Sequence, residues 1–520
     1  DTWEGTSSSC RLSRFGSGLF DPAQRVYSLN LGSSTFARDG VAAQITVPTG
    51  ASYLEICFTP LGVAYFSTTP ISDGTSPSAT WSNDSSLVGS GGSFVLDVYQ
   101  MRSGIAAGVR RHDGARELSV KVFIFDLLPY SEHLDHLKDR PDGELPWPLS
   151  RKHFKPEVAV QTYAEHLAAW EEMDRLGYDG VGFNEHHTSP YGLMNSPNLL
   201  AAAVAQRTER LKILIYGNLA PLHDPLRLAE ELAMLDCLSN GRLISGFARG
   251  IPREYKVYNV DLKESRARFE EAWEIVRRAW TEDVFDYEGQ FWSYHDVAIW
   301  PRPVQQPYPP VWVPVSGSKE TIEWAARFNI PITPGLGGHL GVRADIIKYY
   351  GECLQRNGFQ LTPDHLVIQA NVYLAESKAQ AVEEAGPYTL YFNKTLFSHG
   401  NFTASRLQKE AGYLSTSSFD YVQPQNLEGV AWEREQFRSL TMERLAQQVE
   451  QMPWGTADEV TRRLIADADR AGANVLLLGM NRGAMPHEMF MKQLRWFAAE
   501  VLPALQAHTV TPRPVESAAG

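Results

Sequence analysis

From Lys121 onward the chain alternates short runs of β-forming apolar residues with longer stretches of helical periodicity, and this alternation limits the fold more than any other feature. Strands are expected at residues 120–125, 180–184, 211–217, 243–247, 311–315, 330–333, 366–374 and 474–478. Amphipathic helical stretches fall between them at 158–176, 198–208, 226–238, 263–280, 319–328, 344–357 and 456–471. Strands that alternate with helices form a parallel sheet covered by those helices. Eight such units in succession predict a (β/α)8, or TIM, barrel. The main competitor is a doubly wound open sheet, which has about six strands and a glycine-rich first turn. Here the turn after Phe125 reads Asp126-Leu-Leu-Pro-Tyr130, without glycine.

Composition breaks near residue 118. The preceding part is rich in Ser, Thr and Gly, and Lys121 is the first lysine of the chain. Clusters of β-formers at 26–31, 44–47, 52–58 and 93–99, set between Gly/Ser/Pro turns, predict a small β-rich module over 1–117. The barrel is then expected over 118–508, with a disordered tail at 509–520. Between the seventh and eighth strands, residues 375–450 form an insertion longer than a barrel requires, and such insertions tend to be functional. It carries Tyr388, Tyr391, Phe392, Phe397, Phe402, Tyr413, Phe419, Tyr421, Trp432 and Phe437. These rings either cover a hydrophobic substrate or pack the insertion on itself.

With 43% hydrophobic and 21% charged residues, the chain reads as globular. Its formal charge of −13 and the lack of a basic run disfavour nucleic acid as a partner. It has no apolar run long enough to span a membrane, and Asp1-Thr-Trp-Glu4 is unlike a secretion signal, so no membrane association and a cytoplasmic location are expected. The four cysteines, Cys10, Cys57, Cys237 and Cys353, are far apart and read as reduced structural thiols. Cys237 falls in the apolar stripe of 228–238 and is expected in the core.

Chemistry concentrates at strand ends. The stretch Gly180-Val-Gly-Phe-Asn-Glu-His-His187 runs from an apolar strand into an acid and two imidazoles. Adjacent strand residues point to opposite faces, and no HxH or HExxH spacing is present, so no metal site is expected from His186 and His187. A histidine in this place is either an acid/base group or a hydrogen-bonded structural residue. Arg249 closes the next such strand between Ala248 and Gly250 and suits either a dianion or a barrel-mouth salt bridge. Gly317 and Ser318 open a helix containing Thr321, which is either a phosphate-binding turn or a plain helix cap. Asn218 and Ser316 also lie at strand ends, where barrel enzymes place their sites.

An ordered set of motifs then resembles the bacterial luciferase-like flavin-dependent monooxygenases over residues 120–505. It comprises Asn184-Glu-His-His-Thr188, Tyr216-Gly-Asn-Leu-Ala-Pro-Leu-His-Asp-Pro-Leu-Arg-Leu-Ala-Glu-Glu231, Asp236-Cys-Leu-Ser-Asn-Gly-Arg242, Ala248-Arg-Gly250 and Ser316-Gly-Ser-Lys-Glu-Thr321. The resemblance implies a (β/α)8 barrel, often a homodimer, that binds reduced FMN or the deazaflavin F420. It implies that His186, with Glu185 beside it, is catalytic, and that Arg249, Gly317, Ser318 and Thr321 hold the flavin phosphate. Tyr216-Gly217 matches the family's non-proline cis peptide, and Asn218 would lie beside the isoalloxazine. The implied reaction inserts one oxygen atom from O2 into a small hydrophobic organic substrate, using FMN reduced by a separate NAD(P)H:flavin reductase. F420-dependent hydride transfer is the alternative, and a non-catalytic flavin-binding protein a further one. Two departures stand out. The phosphate site would follow strands four and five, whereas barrels generally place it after seven and eight. Ala248 occupies the position of a cysteine in light-emitting members, so light emission is not expected.

Overall fold

The computed structural model describes residues 119–139, 143–335, 340–402, 417–426 and 440–510, except the side chains at 340, 398 and 400–402, and the backbone of eight strands within 1–117. The chain divides into two compact units, Asp1–Glu117 and Leu118–Gly520. In the first, the described strands are all antiparallel: Gly5–Thr6, Ser9–Ser13 and Val26–Asn30 form one sheet, Ala43–Thr46, Ser78–Ser82 and Tyr65–Thr68 another, and Phe94–Met101 pairs with Gly104–Arg111. The strand expected at 52–58 lies outside the described residues.

The second unit is the barrel. Its strands are β1 (Lys121–Asp126), β2 (Gly180–Phe183), β3 (Lys212–Ile215), β4 (Leu243–Ala248), β5 (Val311–Val315), β6 (Ile332–Pro334), β7 (Val367–Asn371) and β8 (Val475–Gly479). They pair in parallel in the order β6-β5-β4-β3-β2-β1-β8-β7, and a parallel bridge from Ile332 to Leu366 nearly closes the seam between β6 and β7. The helices are α1 (Pro156–Leu176), α2 (Pro197–Ala205), α3 (Pro225–Leu238), α4 (Pro252–Tyr258), α5 (Ser265–Thr281), α6 (Lys319–Arg327), α7 (Leu340–Arg356), α8 (Lys378–Tyr391), α9 (Met442–Gln448), α10 (Ala457–Ala471), α11 (His487–Glu500) and α12 (Leu502–Ala507). None of them is long and apolar enough to cross a membrane.

Alternation along each strand sorts its side chains between two cores. Phe123, Leu214, Tyr216, Ile244, Trp312, Val367, Val475 and Leu477 form one buried cluster, the plug inside the barrel. Their neighbours Val122, Ile124, Ile213, Ile215, Val313, Leu476 and Leu478 join the larger cluster beneath the helices. Because both faces are buried, the strands read as continuous apolar runs, and their polar residues are left for the ends.

Several local expectations are modified. β3 stops at Ile215, before a cis peptide between Tyr216 and Gly217, and the chain pairs again with β4 through Asn218–Leu219. The expected seventh strand is interrupted at Val372, and Tyr373–Leu374 pairs instead with Trp454–Gly455. A hairpin of Phe285–Glu288 and Ser293–Val297 precedes β5. Cys237 is exposed, a correction to its expected burial. The buried face of α3 carries Leu228, Leu232 and Asp236, and one residue further turns the side chain by about 100°, toward the exposed Met234 and Leu238. Thr509 pairs with Ser119 and Val510 is buried, so both belong to the barrel unit, while 511–520 lie outside the described residues.

The insertion begins as α8 and continues as a π-helix, Phe392–Phe402. Tyr391 and Phe392 are buried with Tyr191, Leu396 and Ala484, while the Tyr391 hydroxyl accepts from the Leu134 amide and donates to the Glu132 carbonyl. Tyr421 stacks on Tyr349 of α7 at 4.6 Å. These rings pack against the barrel, and Phe392 and Phe397 also meet each other at 6.1 Å, so the insertion packs partly on itself. The Phe402 side chain, Tyr413, Trp432 and Phe437 lie outside the described residues.

Candidate active site

The chain leaving β2 builds an acid–imidazole network. Glu185 is 2% exposed and accepts from His187 Nε2 and His223 Nε2 at 2.8 Å, from the Leu219 amide at 3.0 Å and from Asn218 Nδ2 at 3.2 Å. Burial alone would raise its pKa, but the bonds from His187 and His223 win and hold it at about 2. With Glu185 ionised, His187 donates through Nε2, which leaves Nδ1 to accept from the Tyr258 hydroxyl at 2.9 Å. His223 is pulled the other way: burial disfavours its charge, yet Glu185 and Glu231 raise its pKa. A continuous chain thus runs Tyr258–His187–Glu185–His223.

His186 belongs to a separate couple. Its Nδ1 lies 3.0 Å from Oε1 of the buried Glu254, which also accepts from the Ile251 amide at 2.8 Å and weakly from the His187 amide at 3.4 Å. As an acceptor of both amide bonds Glu254 takes its hydrogen bond from His186 as well, so His186 donates through Nδ1 and leaves Nε2 as the nitrogen open to a proton. Asn195 bonds the His186 carbonyl at 2.8 Å, and the Tyr191 ring meets the imidazole edge-on at 4.8 Å. Glu254, on α4, was not anticipated. The signal was local: Arg249-Gly-Ile-Pro-Arg-Glu254 follows the arginine strand with a proline-started helix.

On the β4–β5 side the polar groups are cationic and hydroxylic. Arg249 Nη1 reaches Ser265 Oγ at 3.5 Å, at the start of α5. The next residue, Arg266, donates to Thr321 Oγ1 at 2.7 Å and to Ser318 Oγ at 3.4 Å, joining the β4 end to the α6 turn. Arg266 was missed because its position at a helix start carries no strand-end signature. Ser318 sits at the N-cap of α6, but its side chain makes no capping bond and donates to Glu320 at 2.6 Å, so the plain-cap reading does not hold. The insertion returns to this turn: Ser418 donates to both Glu320 oxygens at 3.0 Å and accepts the Lys319 amide at 2.9 Å, and Tyr421 donates to the Gly317 carbonyl at 2.6 Å. Gly317 has φ +110°, and a Cβ there would lie 3.0 Å from the Phe419 ring, so both conformation and space require glycine.

Gly217 and Gly246 let neighbouring backbones approach too closely for side chains. A Cβ on Gly217 would lie 2.7 Å from the Gly246 carbonyl carbon, and one on Gly246 only 2.1 Å from the Ile215 oxygen. The Tyr216 side chain turns into the barrel, where its hydroxyl bonds Thr333 and burial pushes its pKa far up. Of the expected site residues, Tyr216 alone has its side chain committed to the plug. Asn218 is fully buried and donates to Glu185 and to Asn198 Oδ1 at 3.2 Å each, while its own Oδ1 has no partner among the described residues. An unmet buried carbonyl costs about 1–3 kcal/mol.

These features fit a flat, phosphate-bearing heterocycle. Arg249, Arg266, Ser318 and Thr321 are donors for a phosphate, and Asn218 Oδ1 is an acceptor for a ring N–H.

The luciferase-like monooxygenase family profile matches residues 147–474. The chain belongs to that family. Among its relatives, an uncharacterized Sinorhizobium fredii protein, y4wF, is 39% identical over 168 residues, spanning 32% of this chain and 49% of that protein. The oxygenase component of the flavin-dependent trigonelline monooxygenase of Acinetobacter baylyi is 28% identical over 245 residues, or 46% of this chain and 66% of that protein. The solved structure of monooxygenase RslO1 from Streptomyces bottropensis superposes with a TM-score of 0.55 at 27% identity, covering 74% of this chain and 99% of that one. The matches to these two curated relatives thus span about half to two thirds of their lengths.

Proposed function

We propose that this protein binds reduced FMN and uses O2 to insert one oxygen atom into a small hydrophobic organic substrate. The observation that carries this reading is the joining of Arg266 to Ser318 and Thr321, with Arg249 bonded to the adjacent Ser265, on the same barrel unit as the His186–Glu254 couple. Reduced flavin, when bound, supplies the electrons that activate O2 for transfer. The protein's residues do the rest. Arg249 and Arg266 bind the phosphate, a charge-assisted contact contributing roughly 1.5–3 kcal/mol each. Asn218, held by Glu185, positions the ring. His186, oriented by Glu254, holds or moves a proton at Nε2, an acid/base role worth about 10²–10⁴ in rate. The rings of α8 and the π-helix exclude water.

The trigonelline relative is named as an oxygenase component, which supports a separate NAD(P)H:flavin reductase as partner. Leu199 on α2 and Met234 and Leu238 on α3 are exposed apolar residues on adjacent helices, which are open to a homodimer contact. The test is an anaerobic titration with reduced FMN and reduced F420, followed by mixing with oxygen while the flavin spectrum is recorded. Preferred binding of FMN and an oxygen-dependent spectral phase distinct from free-flavin oxidation are expected. Preferred binding of F420 without that phase would replace oxygenation by hydride transfer.

A further inference from the structure

After β8 the chain turns through Gly483, where a Cβ would lie 2.7 Å from the Tyr388 carbonyl of α8, so this loop is pressed against the insertion. The turn carries Arg482, whose guanidinium lies over the Phe392 ring at 4.6 Å. The residue is half-buried, partial desolvation lowers its pKa to about 10, and it stays charged at neutral pH. Yet it makes no ion pair and no hydrogen bond among the described residues. Arg253, the other crowded guanidinium nearby, has such a partner in His399 at 3.2 Å. A guanidinium held against an aromatic ring with no counter-ion of its own is available to an anion that arrives from outside.

A second polar residue meets the same Phe392 ring. Tyr191 is 7% exposed, its hydroxyl has no hydrogen-bond partner among the described residues, and the charge of Arg482 acts on it. Its ring packs against Phe392 at 5.6 Å, Phe397 at 6.0 Å and His186 at 4.8 Å. Phe392 thus touches both the guanidinium and Tyr191, and Tyr191 in turn meets the proposed proton-handling imidazole. In strand order β8 lies opposite β4 around the barrel, so Arg482 is not part of the Arg249–Arg266 phosphate cradle.

We propose that Arg482 and the Tyr191 hydroxyl anchor the carboxylate of the substrate, a small monocarboxylate whose apolar, preferably aromatic, body lies against Phe392 and Phe397. This deepens the oxygenase reading and rests on it for the word substrate. One guanidinium and one phenol O–H match a monoanion with two acceptor oxygens. The aromatic walls leave nothing to hydrate a larger polar body.

The test is calorimetric titration of the full chain with benzoate and with its uncharged isostere benzamide, with FMN titrated in parallel. The protein should bind benzoate at least about 10-fold more tightly than benzamide. Arg482→Met should weaken benzoate by about 10- to 100-fold, while benzamide and FMN affinities stay the same. Tyr191→Phe, which removes one oxygen and preserves packing, should weaken benzoate by a few-fold and serves if Arg482→Met does not fold. Equal binding of the two probes, no saturable benzoate binding, or benzoate affinity indifferent to both substitutions would overturn the proposal. Failure of the unmodified protein to bind FMN would instead sink the flavin reading, with the benzoate comparison still scored by itself.

Discussion

The β2–β3 and β4–β5 sides of the barrel mouth are built on different principles. On the first, Glu185 and Glu254 are almost fully buried and their oxygens are met by imidazoles and backbone amides. That side is set before any ligand arrives. On the second, Arg249 is only partly buried and its neighbour Arg266 bonds hydroxyls, groups that can exchange one acceptor for another. This side can re-form around a bound anion. The difference implies that turnover and cofactor affinity are separable by mutation.

The largest expected effect lies on the preset side. His186→Asn should lower turnover by about 10²–10⁴ and leave reduced-FMN affinity within about twofold, as read by a reductase-coupled assay alongside anaerobic titration; a parallel fall in affinity would break the separation. Next is the acid stability of the same network. Glu185 is held at about 2 against an ordinary 4.5, so its contribution is complete above pH 4.5 and is lost as pH falls toward 2. It amounts to about 3 kcal/mol, and Glu185→Gln should flatten this limb in urea unfolding measured against pH. His223 has the opposite sign: its raised pKa gives stability that is complete below pH 6.5 and is lost as pH rises through the raised value. His223→Gln should therefore flatten only the upper limb.

On the adaptable side, Arg249→Met or Arg266→Met should weaken reduced FMN by about 10- to 100-fold, with turnover at saturating flavin nearly unchanged. Loss of turnover at saturation would place these arginines in the chemistry instead. The smallest effect belongs to Ser418→Ala, which removes the insertion's side-chain bond to Glu320. Stopped-flow release of FMN should quicken by a few-fold, in line with a bond contributing about 1 kcal/mol. An unchanged rate would show that the insertion does not support the phosphate turn.

What could be read from the sequence follows the same division. Strand periodicity locates the barrel, and a parallel barrel gathers its strand ends, so Glu185, His186, Asn218 and Arg249 were accessible from pattern alone. Glu254 and Arg266 come from helices that follow β4, and Glu254 meets His186 across 68 positions of chain, a distance at which no period applies. Ser418 and Arg482 act through packing of the insertion and of the loop after β8, and loop conformation leaves little trace in sequence. Cys237 marks the limit of the helical stripe itself, since one step of rotation separates a buried side from an exposed one.

The most direct measurement of the central claim compares the affinity of the protein for reduced FMN with that for reduced riboflavin, which lacks the phosphate, in the unmodified chain and in Arg249→Met. FMN should bind about 10- to 100-fold more tightly, and Arg249→Met should erase most of that difference without changing riboflavin. Equal affinities in the unmodified chain, or a difference that survives the substitution, would contradict the phosphate cradle.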